Sequence, residues 1–431
     1  MVLKLLFLLL FLPNVCFAAF QTYVGTGTSK ITTTGTKAYT GVGFTPTAII
    51  FFSTSVQTAE DYILNTNAGA QSYGITDGTN SRTIGWAGQA RTSSNEAAHS
   101  INAATCIRLG RKTNGANTWT TLAEASLSSL DADGFTLNWT TVNGANAEIF
   151  GFIAIGGVTA YVGTITEGAT TGNYSTTDPN FQPTFAMFLY TGDTAATTAS
   201  TVKGGLGFAT ATEEAVTYHV CTTGASDMII NNVLRTTSMM EITNAGSSTI
   251  ISDSDFVSFD ATGFTLNRTT DDGTDRIIYY LVIDGVQADI ASFTQAAATG
   301  NQATTGVGFQ PSLTMFLTHG AATAFEANMT QESFGAGTSS SQRAFAANAY
   351  QDNGYEDQDT AIATKSTSIL LVGDPTTPTN QGEADLVSLD SDGFTVNWTT
   401  TDATARLCLG ISLAATGGAP AARRLIMVSE E

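Results

Sequence analysis

The chain has 431 residues, 13% of them charged, and a formal net charge of −20 against only 17 Lys and Arg. That balance repels phosphate backbones and anionic lipid, so nucleic acid and membrane surfaces are excluded as expected partners. Solubility then rests on Thr, Ser, Asn and Gln, and threonine in such quantity favours strands.

Residues 1–18 read as a cleaved secretory signal. Lys4 precedes an apolar run from Leu5 to Leu12, and Val15-Cys16-Phe17-Ala18 leads to cleavage after Ala18. No later stretch reaches the roughly 18 apolar residues of a membrane span, so the mature chain is expected to be soluble, without membrane insertion, and secreted or held at a cell surface. Three cysteines remain, Cys106, Cys221 and Cys408, one in each of three repeats at different offsets. Such placement gives no disulfide framework and predicts buried thiols.

The repeats are marked by DGFTLNW from Asp133, TGFTLNR from Thr262 and DGFTVNW from Asp392. They recur about every 130 residues, the size of one ordinary domain. In chain order, each repeat opens with a polar-apolar stretch: FQTYVGTGT from Phe20, AYVGTITEG from Ala160, ADIASFTQA from Ala288. A Phe-x-Pro signature follows at Pro46, Pro183 and Pro311, with an apolar run after it. Proline lacks an amide donor and belongs at the head of a strand, so each run reads as a buried strand. The middle segments from Ser72, Gly205 and Ser333 are two alternating stretches around a polar tip, which predicts hairpins.

Each repeat ends in a turn, an alternating strand in which Phe135, Leu137 and Trp139 face inward, a second turn at Asn143-Gly144, and a final strand apolar on both faces. Together these predict an all-β chain of three tandem antiparallel β-sandwich, jelly-roll-like modules at 19–157, 158–286 and 287–418, followed by a tail, 419–431. Linkers are almost absent, so the modules are expected to form a stiff rod. In the tail, Leu425, Ile426, Met427 and Val428 resemble a surplus opening strand, a candidate subunit contact by strand addition in cis or in trans.

Chemistry is sparse. His99, His219 and His319 lie in unlike contexts without metal-ligand spacing, and neither a nucleophile elbow nor a phosphate loop occurs. No catalytic residue and no cofactor is expected. Calcium is the one ion considered, at Asp131, Asp133, Asp390 and Asp392, although turn chemistry alone explains Asp and Gly there. Asn138, Asn173, Asn267, Asn328 and Asn397 begin N-x-Thr sequons and are candidate glycosylation sites.

GVGFQP from Gly306 and SLDADGFTLNW from Ser129 resemble modules of uncharacterised phage tail or virion proteins and bacterial surface proteins, a likeness that recurs three times and implies no catalytic residue. The leading expectation is a secreted, non-enzymatic structural protein that self-associates into a homo-oligomer, extracellular filament or surface assembly. The alternatives are a glycan-binding adhesin using Trp86, Trp119 or Tyr350, a phage-type virion or tail fibre protein, and an enzyme with scattered carboxylates.

Overall fold

The computed structural model describes residues 19–54, 63–64, 69–89, 96–112, 118–199, 201–223, 228–244, 247–327, 329–350, 360–373 and 379–416. Among them every regular element is a β-strand, and the strands form six antiparallel sheets, one of seven strands and one of four for each repeat. Residues 1–18, read above as a signal, Asn328 and the tail with Leu425 to Val428 lie outside the described residues.

In the first repeat the seven-stranded sheet runs Gln21–Thr28, Ile149–Gly156, Ala48–Ser53, Gly69–Thr76, Ser81–Gln89 and Glu96–Asn102 before its seventh strand. The four-stranded sheet runs Gly35–Thr40, Gly134–Thr141, Trp119–Asp131 and Ile107–Lys112. The first three and last two strands of the repeat alternate between the sheets, as in a jelly roll, whereas the strands between them run as two meanders. Asn143-Gly144 therefore carries the chain across from one sheet to the other, with Gly144 at φ +78°.

The proline-led strands Ala48–Ser53, Phe185–Tyr190 and Leu313–Thr318 are buried along their whole length. Alternation explains this. Ile49 and Phe51 enter the core between the two sheets of the first repeat, whereas Ala48, Ile50 and Phe52 face the other way into a core shared by all three repeats. Register places equivalent residues there: Ile50, Met187 and Met315 pair with Ile153, Leu281 and Ile411 on the closing strands.

The rod expected from the short linkers does not form. The seventh strand of each large sheet is donated by another repeat: Thr197–Ala199 of the second joins the first, Phe325–Ala327 of the third joins the second, and Ile63–Leu64 of the first joins the third. Three modules thus close into a ring with threefold pseudosymmetry. The physical reason is the shared core: in a rod the inner face of each large sheet would stay in water, and Phe52, Phe334 and Phe345, now packed ring to ring at 5.0 and 5.2 Å, would be exposed.

The opposite edge of each large sheet is covered as well. A hairpin tip of one repeat caps the opening strand of the next: Asp77 Oδ2 accepts from Val162 N at 2.7 Å, Glu213 Oε2 from Ile290 N at 2.7 Å, and Ser341 Oγ from Val24 N at 3.3 Å. One edge N–H of each opening strand is thereby satisfied by another repeat inside the molecule.

Candidate functional site

In the aspartate turns each carboxylate oxygen accepts from one of the chain's own donors. Asp131 accepts from Ser129 and Thr136 hydroxyls, both at 2.7 Å, and Asp390 does the same with Ser388 and Thr395. Asp133 accepts the backbone N–H groups of Gly41 and Gly43 at 3.1 and 2.6 Å, and Asp392 those of Gly306 and Gly308 at 3.2 and 2.6 Å. Those glycines lie at φ between +82° and +96°, which turns successive N–H groups toward one carboxylate. Among the described residues no group of three or more His, Cys, Asp or Glu is placed to hold a metal ion. Turn closure accounts for the aspartates at these positions.

Asn138, Asn267 and Asn397 sit on the outer face of the small sheets and are half-buried, and Asn173 is exposed directly across from Asn267. The aromatics proposed for sugar contact are placed otherwise. Trp86 is 5% exposed in the shared core and Trp119 is 8% exposed with its ring over Gly110, so neither offers a face to a ligand. The side chain of Tyr350 lies outside the described residues. Cys106 and Cys408 are buried free thiols, and burial pushes the Cys408 thiol up to about 12.

The histidines, unlike in sequence, all lie at contacts between repeats or beside one. His99 of the first repeat donates from Nδ1 to Thr201 O at 2.5 Å and pairs through Nε2 with Asp193 at 2.6 Å, both of the second repeat. His219 of the second stacks on Trp86 of the first at 5.5 Å and pairs through Nε2 with Glu332 of the third. The other oxygen of Glu332 accepts from the Tyr73 hydroxyl of the first. Asn232 holds His219 Nδ1 through Oδ1 at 2.5 Å, while its amide nitrogen donates to the carbonyls of His319 and Gln331. One side chain from each repeat thus meets on the shared core, and each is at most 2% exposed.

This Tyr-Glu-His cluster has the residue types of acid-base chemistry but no route to solvent through its own atoms. Its members also break the pseudosymmetry. Gln71, Gly204 and Glu332 stand at one position of the repeat, opposite Trp86, His219 and Ala347. A Cβ at Gly204 would lie 2.0 Å from the Trp86 ring, so glycine is required where that ring crosses from the neighbouring repeat.

A surface cleft of about 510 Å³ opens where the second and third repeats meet, lined by Glu213, Glu214, Phe256, Val257 and Ile290. Burial, with Asp255 and Asp253 nearby, pushes the Glu214 carboxyl up to about 7, although it accepts from Phe256 N at 2.6 Å. Burial and the adjacent Glu213 push Asp289 up to about 7 as well. A raised carboxyl lining a cleft, with a second one next to the lining residue Glu213, fits general acid-base work in principle. Equivalent positions supply a plainer account: Ser341 caps Val24 as Glu213 caps Ile290, and Gln342 Oε1 accepts from Leu386 N at 2.7 Å as Glu214 does from Phe256. A glutamine does the same work without an acid, so the carboxylates here serve as backbone caps. No family model matches the chain, and no curated protein matches it.

Proposed function

We propose that the protein is a secreted, non-enzymatic structural unit of an extracellular or surface assembly, a trimer-like body written in one chain. The observation that carries this reading is the cyclic exchange of three short strands around a shared core, which builds a closed ring from a single polypeptide. Three further features support it. Each large sheet ends in a strand donated by another repeat and has one backbone N–H of its opening strand capped by another, the cluster with the residue types for chemistry is sealed, and Glu213 and Glu214 of the cleft act as caps. Assembly would then run through the outer faces, where Val257 and Val387 stand exposed at the same bulge of two repeats.

A virion or tail component is the second reading, favoured by the same arrangement, because a threefold body seats on a threefold axis of a larger assembly with all its faces used. Electron microscopy of the native secreted protein tests both. Regular filaments or lattices are the expected result, and particles purified with virions would select the second reading. Dispersed monomer at native concentration would overturn the assembly function.

A further inference from the structure

We propose that Lys365 and Asn380 form an intramolecular isopeptide bond, with Glu383 as the proton-transfer group, that staples the two sheets of the third repeat. Lys365 ends the strand Thr360–Lys365 of the large sheet, and Asn380 opens the strand Asn380–Asp390 of the small one. Both reach the same oxygen: Glu383 Oε2 lies 2.7 Å from Lys365 Nζ and 2.5 Å from Asn380 Nδ2. The two nitrogens are therefore no more than about 5 Å apart, and the proposed attack needs the long lysine side chain to rotate until Nζ lies ~3–3.5 Å from the amide carbon, a near-attack geometry.

The rest of the cluster is arranged for this step. The Ser368 hydroxyl, fully buried, holds the other oxygen of Glu383 at 2.6 Å and fixes the carboxylate. Gly382 N–H donates to Asn380 Oδ1 at 3.1 Å, which polarises the amide and stabilises the negative charge that develops on that oxygen. Burial pushes up the carboxyl of Asp385 close by, a second sign of a poorly solvated site. In the second repeat Arg235, a guanidinium that cannot act as a nucleophile, stands where Lys365 does and pairs with Glu241 of the neighbouring strand at 3.0 Å, and Ile250 stands where Asn380 does. The reactive combination belongs to the third repeat.

The balance is simple. Lys365 Nζ gives a proton to Glu383, and its freed lone pair attacks Asn380 Cγ. The Nζ–Cγ amide forms as Nζ gives up a second proton, the Cγ–Nδ2 bond breaks, and Glu383 passes both protons in turn to Nδ2, which leaves as ammonium. Nothing is oxidised or reduced, and no further reactant is consumed.

Denaturing mass spectrometry of the purified full chain, followed by peptide mapping, tests it. The expected result is a mass lower by one ammonia, about 17 Da, than that of the same chain carrying Glu383→Ala after allowance for the substitution, together with one linked peptide containing Lys365 and Asn380. Lys365→Arg should restore the full mass. Because the chain is read unfolded, a variant that folds poorly still gives an answer. Full mass in the unsubstituted protein, Lys365 and Asn380 in separate peptides, or a deficit that persists in Lys365→Arg would each overturn the bond.

Discussion

Asp133 and Thr262 occupy the same place in successive repeats, and the loops they face differ to match. Opposite Asp133 stand Gly41 and Gly43, and opposite Asp392 stand Gly306 and Gly308, whereas the second repeat has Asp178-Pro179-Asn180 with Asn180 at φ +58° and its N–H on Thr262 O at 2.9 Å. The pairing of a carboxylate with two left-handed glycines was readable in the chain by comparing repeats, but a lone GVGF looks like nothing more than the start of a strand. Removing the carboxylate orphans two backbone donors near the surface. Because water can take up these exposed donors, Asp133→Ala should lower the unfolding free energy by only about 0.5–1.5 kcal/mol in denaturant titration. Calcium should leave the melting temperature unchanged, since the carboxylate is already engaged; a calcium-dependent rise abolished by that substitution would restore the ion site.

Single strands were legible where their information is local. Proline at the head, alternation in GFTLNW and a polar hairpin tip are short-range signals, and the corresponding strands and hairpins form where they point. The donated strands are different: Ile63–Leu64 and Thr197–Ala199 are two and three residues long and carry no pattern of their own, so ring closure was not legible. Nor was the fate of Trp86, His219 and Glu332, which lie far apart in sequence and meet only because the ring closes. Their joint role is measurable at this scale. Glu332→Ala leaves two buried polar groups without their acceptor and should cost about 3–5 kcal/mol. Adding His219→Ala should then cost much less than it does alone, a coupling above about 1 kcal/mol in a double-mutant cycle. Additive losses would show that the three side chains do not act together.

At the scale of the whole molecule, closing the ring buries carboxyl groups that have few cations to meet, and this sets the response to pH. Burial pushes Glu214, Glu241 and Asp289 up to about 7, partly offset at Glu241 by Arg235 and reinforced at Asp289 by Glu213. A carboxyl raised in the fold binds its proton in the folded state before the unfolded one does. Its stabilising contribution is fully present below about pH 4 and is lost as pH climbs through about 7. His319 opposes this, because burial and His219 hold its imidazole down at about 3, so stability from its neutral form is lost as pH falls below the usual histidine range. Asp193, Asp272 and Asp402 are held below the usual carboxylate value, mostly by His99 and arginine partners, and penalise only stronger acid. Glu167, Asp255 and Asp385 are raised as well, and six such carboxyls against one histidine leave the balance on the acid side, to which partial neutralisation of the −20 charge adds. The melting temperature should therefore be several degrees higher near pH 5 than near pH 8. Glu214→Gln, which copies the cap that Gln342 already provides, should raise the value at pH 8 and flatten the profile. A melting temperature that instead rises steadily from pH 5 to pH 8 would mean that these carboxyls are ionised in the folded ring and that its junctions are more open to water than their burial implies.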